Sequence, residues 1–348
     1  MREQIQQRVH DISNIPLQDI PIRARKRLEY QNNNLYDVRF KDSHWIAKEF
    51  VKEDEFLDSP LREYNALKLL APFDIAPAAI DIMPYPDFKH PVVIYEFMPG
   101  EMWDRRKPSQ DELKLLAETW LITHQATKDD LWISRGWDET EEQRLALSHW
   151  FYRVYLEWAE EHFSDGIDAV KEALTLYHTH AREIQQLIDA NPTLLFSRSD
   201  PRFANIIARP DGRIGFVDWE DSGLRSPART IADLLLHPNQ EDLLSDAEWQ
   251  IFLDTYISGY PIQSDNLRQL IHQDKLLRSL AWLGGLLHMG VRKAMQNDLS
   301  GWQINGMPAK QRLQRYYARA IGWADDDFEV QLANVGDIRF FPDYSGVL

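Results

Sequence analysis

Residues 194–221 read LLFSRSDPRFANIIARPDGRIGFVDWED, and the reading of this stretch decides the fold. It holds three short apolar runs, Leu194 to Phe196, Asn205 to Ala208 and Ile214 to Val217, the last two joined by Arg209-Pro210-Asp211-Gly212-Arg213. Pro-Asp-Gly between two apolar runs is a turn with a mechanism, since Pro fixes one φ and Gly supplies a positive one. The hairpin so formed brings Asp218, at the end of its second strand, back to Asn205, at the start of its first. Asp200 lies on the loop that leads in. Three oxygen-bearing side chains are therefore expected at one end of one hairpin. A hard cation such as Mg²⁺ takes oxygen ligands and is held by one or two carboxylates plus substrate phosphates, a task that suits Asn205 and Asp218. Asp200, if not a ligand, would orient or deprotonate a substrate hydroxyl.

Toward the N-terminus the pattern is that of strands. Leu35, Val38 and Phe40 fit one run and Trp45, Ile46, Ala47 and Phe50 another, with Lys41-Asp42-Ser43 as the turn. Arg27 to Tyr30 is expected as a third strand of the meander, after a short helix and lead-in over residues 1–22. Pro60 opens an apolar series at Leu61, Tyr64, Leu67, Leu69 and Leu70 whose spacing is helical and which Ala71-Pro72 closes. Val92 to Phe97 is a short strand ended by Met98-Pro99-Gly100. The lobe boundary is expected there, with residues 1–98 as one lobe and 99–348 as the other.

The second lobe reads as mainly helical. Ser109 stands three residues before Glu112 and can form a capping box for a helix that carries Leu113, Leu116, Trp120 and His124 on one face. Two long helices are expected near 143–162 and 166–190, and helix again from about residue 228. Leu276 to Val291 is shorter than the roughly 20 residues of a membrane span and is interrupted by Arg278 and His288, so it reads as a buried helix. His124 is expected as a satisfied core histidine. His178 and His180, two residues apart, cannot share a metal from one helix face. Arg23, Arg25, Lys26 and Arg27, and the run Asp325-Asp326-Asp327, read as solvated.

Composition narrows the function. The 348 residues carry 39 Lys and Arg against 55 Asp and Glu, a net charge of −16, which argues against nucleic acid or an anionic bilayer as partner and favours cationic ligands. The absence of cysteine excludes disulfides, thiolate zinc sites, iron–sulfur clusters and a cysteine nucleophile. The N-terminus lacks the apolar core of a secretory signal, so a cytoplasmic location is expected.

The sequence resembles the aminoglycoside phosphotransferase and choline kinase group, which shares the protein-kinase-like fold. Ser199-Asp200-Pro201-Arg202-Phe203-Ala204-Asn205-Ile206-Ile207 resembles its catalytic loop, and Gly215-Phe216-Val217-Asp218-Trp219-Glu220-Asp221-Ser222-Gly223 its metal-binding segment. The resemblance implies an α+β, two-lobe fold: a small N-terminal antiparallel sheet lobe and a larger, mainly helical C-terminal lobe. It makes Asp200 the catalytic base and Asn205 and Asp218 the Mg²⁺ ligands. It also makes Lys48, in Trp45-Ile46-Ala47-Lys48, the residue that meets the α- and β-phosphates of ATP, with Glu63 as its ion-pair partner. Ile94-Tyr95-Glu96-Phe97-Met98-Pro99-Gly100 resembles the hinge, where the backbone of Glu96 and Met98 would hydrogen-bond adenine. Ser226-Pro227-Ala228 matches the Pro-Ala after the metal segment.

Three positions depart from the group's pattern. Arg198 stands where a His is usual two residues before the catalytic Asp, Thr230 where an Asp often follows Pro-Ala, and Gln31-Asn32-Asn33-Asn34 where the phosphate-covering turn usually has glycines. Loss of both usual residues at 198 and 230 suggests a rebuilt brace for the catalytic loop. The expected activity is an ATP- and Mg²⁺-dependent phosphotransferase acting on the hydroxyl of a small molecule, with Glu220 and Asp221 as candidates for binding an amine on that acceptor. The alternatives are a catalytically silent kinase-like nucleotide-binding or scaffold protein and a metal-dependent hydrolase.

Overall fold

The structure is a computed structural model that describes residues 1–26, 33–51, 58–84, 90–104, 106–126, 141–190, 193–260, 264–322, 332–336 and 338–342. In its first third, helix α1 (Arg2–Ser13) precedes strands β1 (Ile22–Ala24), β2 (Asn34–Phe40) and β3 (Ser43–Glu49), helix α2 (Ser59–Leu70) and strands β4 (Ala79–Met83) and β5 (Val92–Glu96). These strands make one antiparallel sheet in the order β1-β2-β3-β5-β4. Side chains alternate across a strand, so the two faces of β3 have different fates. Ala47 joins Val38, Val92 and Ile94 beneath Ile5 and Val9 of α1. Ile46 faces the other way, into the core that α2 shares with the rest of the molecule. Lys48, two residues on from Ile46, is thereby carried to the α2 side.

The chain crosses from this sheet at Gly100. Its φ of 146° and the 2.4 Å that would separate an added Cβ from the Ala208 carbonyl oxygen demand glycine at this close approach. Strand β6 (Glu101–Met102) follows at once. Then come helices α3 (Gln110–Gln125), α4 (Glu141–His162) and α5 (Ile167–Ala190), strands β7 (Leu195–Ser197), β8 (Ile206–Ala208), β9 (Ile214–Phe216) and β10 (Gly223–Arg225), and helices α6 (Pro227–Leu236), α7 (Asp246–Gly259), α8 (Ser264–Met295) and α9 (Ala309–Gly322). The expected hairpin is β8 and β9, paired Ile206 to Phe216 and extended by β6, while β7 pairs with β10. The small antiparallel sheet followed by a mainly helical remainder is the α+β, kinase-like architecture expected.

Local chemistry explains most elements. The capping box forms as read: Glu112 N–H donates to Ser109 Oγ at 3.2 Å and Ser109 N–H to Glu112 Oε2 at 2.8 Å. Leu276 to Val291 lies within α8, with Leu280, Leu283 and Leu287 fully buried. No helix among the described residues is long and apolar enough to cross a membrane. Several strands depart from the sequence reading, among them β6, which pairs with β8 just after Gly100. The partner of β2 is β1, inside what read as lead-in; the expected strand at Arg27 to Tyr30, the turn residues Gln31 and Asn32, and the Asp325 run lie outside the described residues. Strand β4 was not expected because Asp81 interrupts its apolar run. That carboxylate turns outward to Arg8 Nε at 2.5 Å. Strand β10 is too short to carry a pattern of its own and exists through its pairing with β7.

His124 is a core histidine, as expected. Nδ1 lies 3.0 Å from the Phe196 carbonyl and Nε2 2.8 Å from the Tyr256 hydroxyl, tying α3 to β7 and α7. Burial, opposed by the bond to Phe196, pushes the imidazole down to about 4. Below its ordinary pKa of about 6.5 the unfolded chain takes up a proton that the folded chain refuses, so this contribution is complete above about pH 6.5 and is lost as pH falls toward 4. In His124→Gln the drop in urea unfolding free energy between about pH 7 and pH 4.5 is expected to be smaller than in the parent by about 2 kcal/mol. Equal drops would show that His124 does not govern the acid limb.

Candidate active site

Lys48 is the centre of the site. Its ammonium, on a side chain almost wholly buried, lies 2.6 Å from Glu63 Oε2 on α2, 2.5 Å from Asp218 Oδ1 and 2.9 Å from Glu220 Oε2 on the segment after β9. Burial works against the charged amine, but Asp218, Glu220 and Glu63 outweigh it and hold Lys48 well above the ordinary lysine value. Burial lifts Glu63 to about 7 against the pull of Lys48. Asp218 is aimed by its backbone: its φ is 66°, in the left-handed region that Asp and Asn tolerate better than most residues. Asn33, in the Asn-rich turn, donates to Glu220 Oε2 at 2.5 Å.

Across from Lys48 stands the loop expected to be catalytic, residues 199–205. Asp200 Oδ2 lies 2.9 Å from Arg202 Nε in an ion pair, and Oδ1 lies 3.2 Å from His237 Nε2. Burial raises the Asp200 carboxyl, but His237, Arg202 and Arg198 together pull it well below the usual carboxylate range. Arg202 also reaches Asp218 Oδ2 at 3.4 Å, so one guanidinium lies between the two aspartates. The Asn205 amide is best satisfied with its oxygen toward Arg198 Nη2 at 3.0 Å and Arg202 Nε at 3.2 Å. With the nitrogen there instead, its bonds to the Asp200 and Asp218 carboxylates stretch to 3.3 and 3.4 Å. Oxygens of Asp200, Asn205 and Asp218 therefore gather around a cation, which is the hard donor set a divalent metal takes. Glu63, Asp218 and Glu220 form the one carboxylate group among the described residues compact enough to hold a metal ion.

The loop's brace is rebuilt from different parts. Arg198, fully buried, donates to the carbonyl of Asp218 at 3.1 Å and that of Asn205 at 3.4 Å, with the Trp219 ring 5.3 Å from its guanidinium carbon. Thr230 donates instead to Ser226 on its own helix. Arg198 had a legible position in the motif, and Arg202 stands within the loop itself. His237 had no local signal at all, because it follows α6 and meets Asp200 only through the fold.

Two cavities open on either side of this loop. One, of about 390 Å³, is walled by Leu35, Ile46, Phe97 and Met98 and ends at Lys48 and Asp218. The other, of about 610 Å³, has Asp200, Asp221, Asp233 and His237 at one end and the face of α8 along its length. Met98 borders the first cavity because Gly215 leaves room for it; a Cβ there would come within 2.2 Å of the Met98 sulfur. The N–H of Glu96 is already committed to the Ala78 carbonyl at 2.9 Å, so Glu96 can offer a base only its carbonyl. The expected acceptor pair is divided. Glu220 belongs to the first cavity through Lys48, and only Asp221 faces the second. Burial, reinforced by Glu220 and Asp218, lifts Asp221 to about 7.

Three carboxylates facing one ammonium set up a stability test. Lys48→Met should cost about 3–5 kcal/mol near pH 8, the range for breaking a buried ion pair, and less near pH 5, where Glu63, lifted to about 7, is protonated. Glu63→Gln should cost less, because Lys48 keeps Asp218 and Glu220. Denaturant unfolding at both pH values measures this, and the reverse ranking would remove Lys48 from the centre.

A likeness of fold to solved kinases accompanies this geometry. Choline kinase from Cryptosporidium parvum aligns with a TM-score of 0.65 and 15% identity over 97% of this chain and 100% of its own. Spectinomycin phosphotransferase, solved with ADP and spectinomycin, aligns at 0.63 and 12% over 92% and 98%. Amicoumacin kinase, solved with AMP-PNP and Ca²⁺, aligns at 0.60 and 14% over 94% of each chain. No curated protein matches the sequence. The model of the phosphotransferase enzyme family matches residues 26–270, a span that holds Lys48, Glu63, Asp200, Asn205, Asp218 and His237. The chain belongs to that phosphotransferase family.

Proposed function

We propose that the protein is an ATP- and Mg²⁺-dependent small-molecule kinase that transfers the γ-phosphoryl group to an acceptor hydroxyl. One observation supports this reading: Asp200 lines the second cavity and contacts Arg202 at 2.9 Å and Asn205 at 3.3 Å, which line the first cavity together with Lys48 and Asp218. Adenine would lie between Leu35, Ile46 and Met98, held by the Glu96 carbonyl and the Met98 amide at the hinge. Lys48 would meet the α- and β-phosphates, kept in place by Glu63. The division into lobes at residue 98 and a cytoplasmic location belong to the same proposal.

Charge supports the metal. Four carboxylates, Glu63, Asp200, Asp218 and Glu220, face three cations, Lys48, Arg198 and Arg202. A polyphosphate added to that set needs further positive charge. Asn205 and Asp218 would hold Mg²⁺, which when bound offsets charge on the phosphates. In the transfer, the acceptor oxygen forms its bond to the γ-phosphorus as the bond to the β-bridging oxygen breaks, and the hydroxyl proton leaves toward Asp200 or the transferred phosphate. Because its neighbours hold Asp200 ionised, its main work is to orient that hydroxyl.

Asp221 and Asp233 at one end of the second cavity, with the net charge of −16, favour an acceptor that places an amine at that end, while Arg278, Arg292 and Lys293 also line the cavity. The alternative, a catalytically silent nucleotide-binding or scaffold protein, keeps the first cavity but predicts no turnover.

Calorimetry is expected to show ATP binding that depends on Mg²⁺ and that Asp218→Ala loses while remaining folded. Asp200→Asn should lower kcat by roughly a hundred- to ten-thousand-fold with nucleotide affinity little changed, and retained activity would remove Asp200 from the mechanism. In a panel of choline, ethanolamine, spectinomycin and neutral sugars, the amines should be the acceptors. Their KM should rise with salt as the screening length shortens toward about 8 Å. Phosphorylation of neutral sugars alone, insensitive to salt, would sink the amine reading and leave the kinase reading intact.

A further inference from the structure

The segment after α6 returns to the catalytic loop and grips it residue by residue. Ala204 N–H donates to Asn239 Oδ1 at 3.1 Å and Phe203 N–H to Gln240 Oε1 at 3.2 Å, while Gln240 Nε2 donates to the Pro201 carbonyl at 3.2 Å and the Leu234 carbonyl at 2.8 Å. Asn239 Nδ2 is held in turn by Asp104 Oδ1 at 3.0 Å. His237, Asn239 and Gln240 are all buried. These bonds fix the loop's backbone at 201, 203 and 204.

His237 does something different, because its contact is with the Asp200 side chain. The backbone N–H of Asn239 points at His237 Nδ1 at 3.1 Å, and an N–H can only donate. Nδ1 must therefore offer its lone pair, which puts the ring hydrogen of the neutral imidazole on Nε2. The nitrogen that carries it lies 3.2 Å from Asp200 Oδ1. The ring plane is set from the other side by Trp282, edge-on at 4.8 Å, whose indole N–H donates to Asp233 Oδ1 at 2.9 Å. His237 thus holds one carboxylate oxygen from the acceptor side while Arg202 holds the other from the nucleotide side.

We infer that His237 is a positioning residue for phosphoryl transfer: its Nε2–H, assigned by the Asn239 amide, fixes the Asp200 carboxylate at the mouth of the acceptor cavity. The inference rests on the kinase reading above. A residue needed only to hold the loop would duplicate Asn239 and Gln240. His237 instead spends its one donor on the side chain that meets the acceptor. It cannot itself be the base in this arrangement, since the nitrogen facing Asp200 already carries the proton.

The test uses the full chain with His237→Ala and His237→Gln, leaving Asn239 and Gln240 unchanged. With Mg²⁺, ATP and the best acceptor of the amine panel, His237→Ala should lower kcat roughly ten- to a hundred-fold, with ATP affinity by calorimetry within about twofold of the parent. Added imidazole should recover part of kcat, and His237→Gln, whose amide can donate, should retain more than His237→Ala. A kcat equal to the parent's in His237→Ala, or a loss that neither imidazole nor Gln relieves, overturns the inference and leaves the kinase reading standing. A readout independent of turnover is the long-range ¹⁵N–¹H imidazole spectrum. The signal that disappears in His237→Ala should show hydrogen on Nε2 and none on Nδ1. The opposite tautomer overturns the inference. If the parent phosphorylates no acceptor, it is the kinase reading that fails, and the spectrum alone decides whether His237 holds Asp200.

Discussion

A single buried ammonium ties the two halves of the candidate active site together. Lys48 comes from the middle of the N-terminal sheet, Glu63 from the helix beneath it, and Asp218 and Glu220 from the segment that follows the hairpin some 170 residues later. A charge taken out of water is tolerated only with partners in good geometry, so each element must arrive where the others need it. The alternation of β3 delivers Lys48 to the inner face, and the helical spacing of α2 buries Glu63 opposite it. The left-handed turn at Asp218 brings the last carboxylate round. The negative excess of the cluster is what leaves room for a further cation.

The neighbouring charges extend the same logic outward. Arg202 lies between Asp200 and Asp218 and keeps two aspartates close that would otherwise repel. Arg198 works underneath on carbonyl oxygens, against the rings of Trp219 and Phe216, and so braces the loop with a guanidinium. The segment that holds the catalytic loop is itself anchored. Glu241, next after Gln240, is fully buried among Arg312, Arg315 and Arg319 of α9, with Arg315 Nε at 3.2 Å. One face of the C-terminal helix thereby steadies, through a single carboxylate, the segment that grips Asp200. Burial on this scale makes truncation of any one partner costly, since it strands the remaining charges.

The sequence alone determined the parts of the site whose signals are local. Pro210-Asp211-Gly212 dictates the hairpin, and the hairpin dictates that Asn205 and Asp218 meet. The Ser109 capping box, the α2 spacing and the apolar face of α8 are equally local, because turns, caps and periodicity act over a few residues. Lys48 could be placed on a strand, and its partner named, from motif order. The separation of Glu220 from Asp221 is not of this kind: the two are the central residues of a turn closed by the Ser222 N–H on the Trp219 carbonyl at 3.0 Å.

Only the tertiary structure decided the rest. Strands β1, β4 and β10 are too short or too interrupted to declare themselves, and exist because a neighbouring strand offers its backbone groups. That Arg202 would lie between two aspartates and that Glu96 would commit its N–H to Ala78 depend on contacts between segments far apart in the chain. His237 is the sharpest case. Nothing within several residues of it distinguishes it from a histidine at a helix end. Its tautomer and its hold on Asp200 arise from one backbone amide and one carboxylate that the fold brings to its two nitrogens. Local chemistry can specify which groups are present, but the direction of a side chain is set by what packs against it, and that is a property of the folded chain.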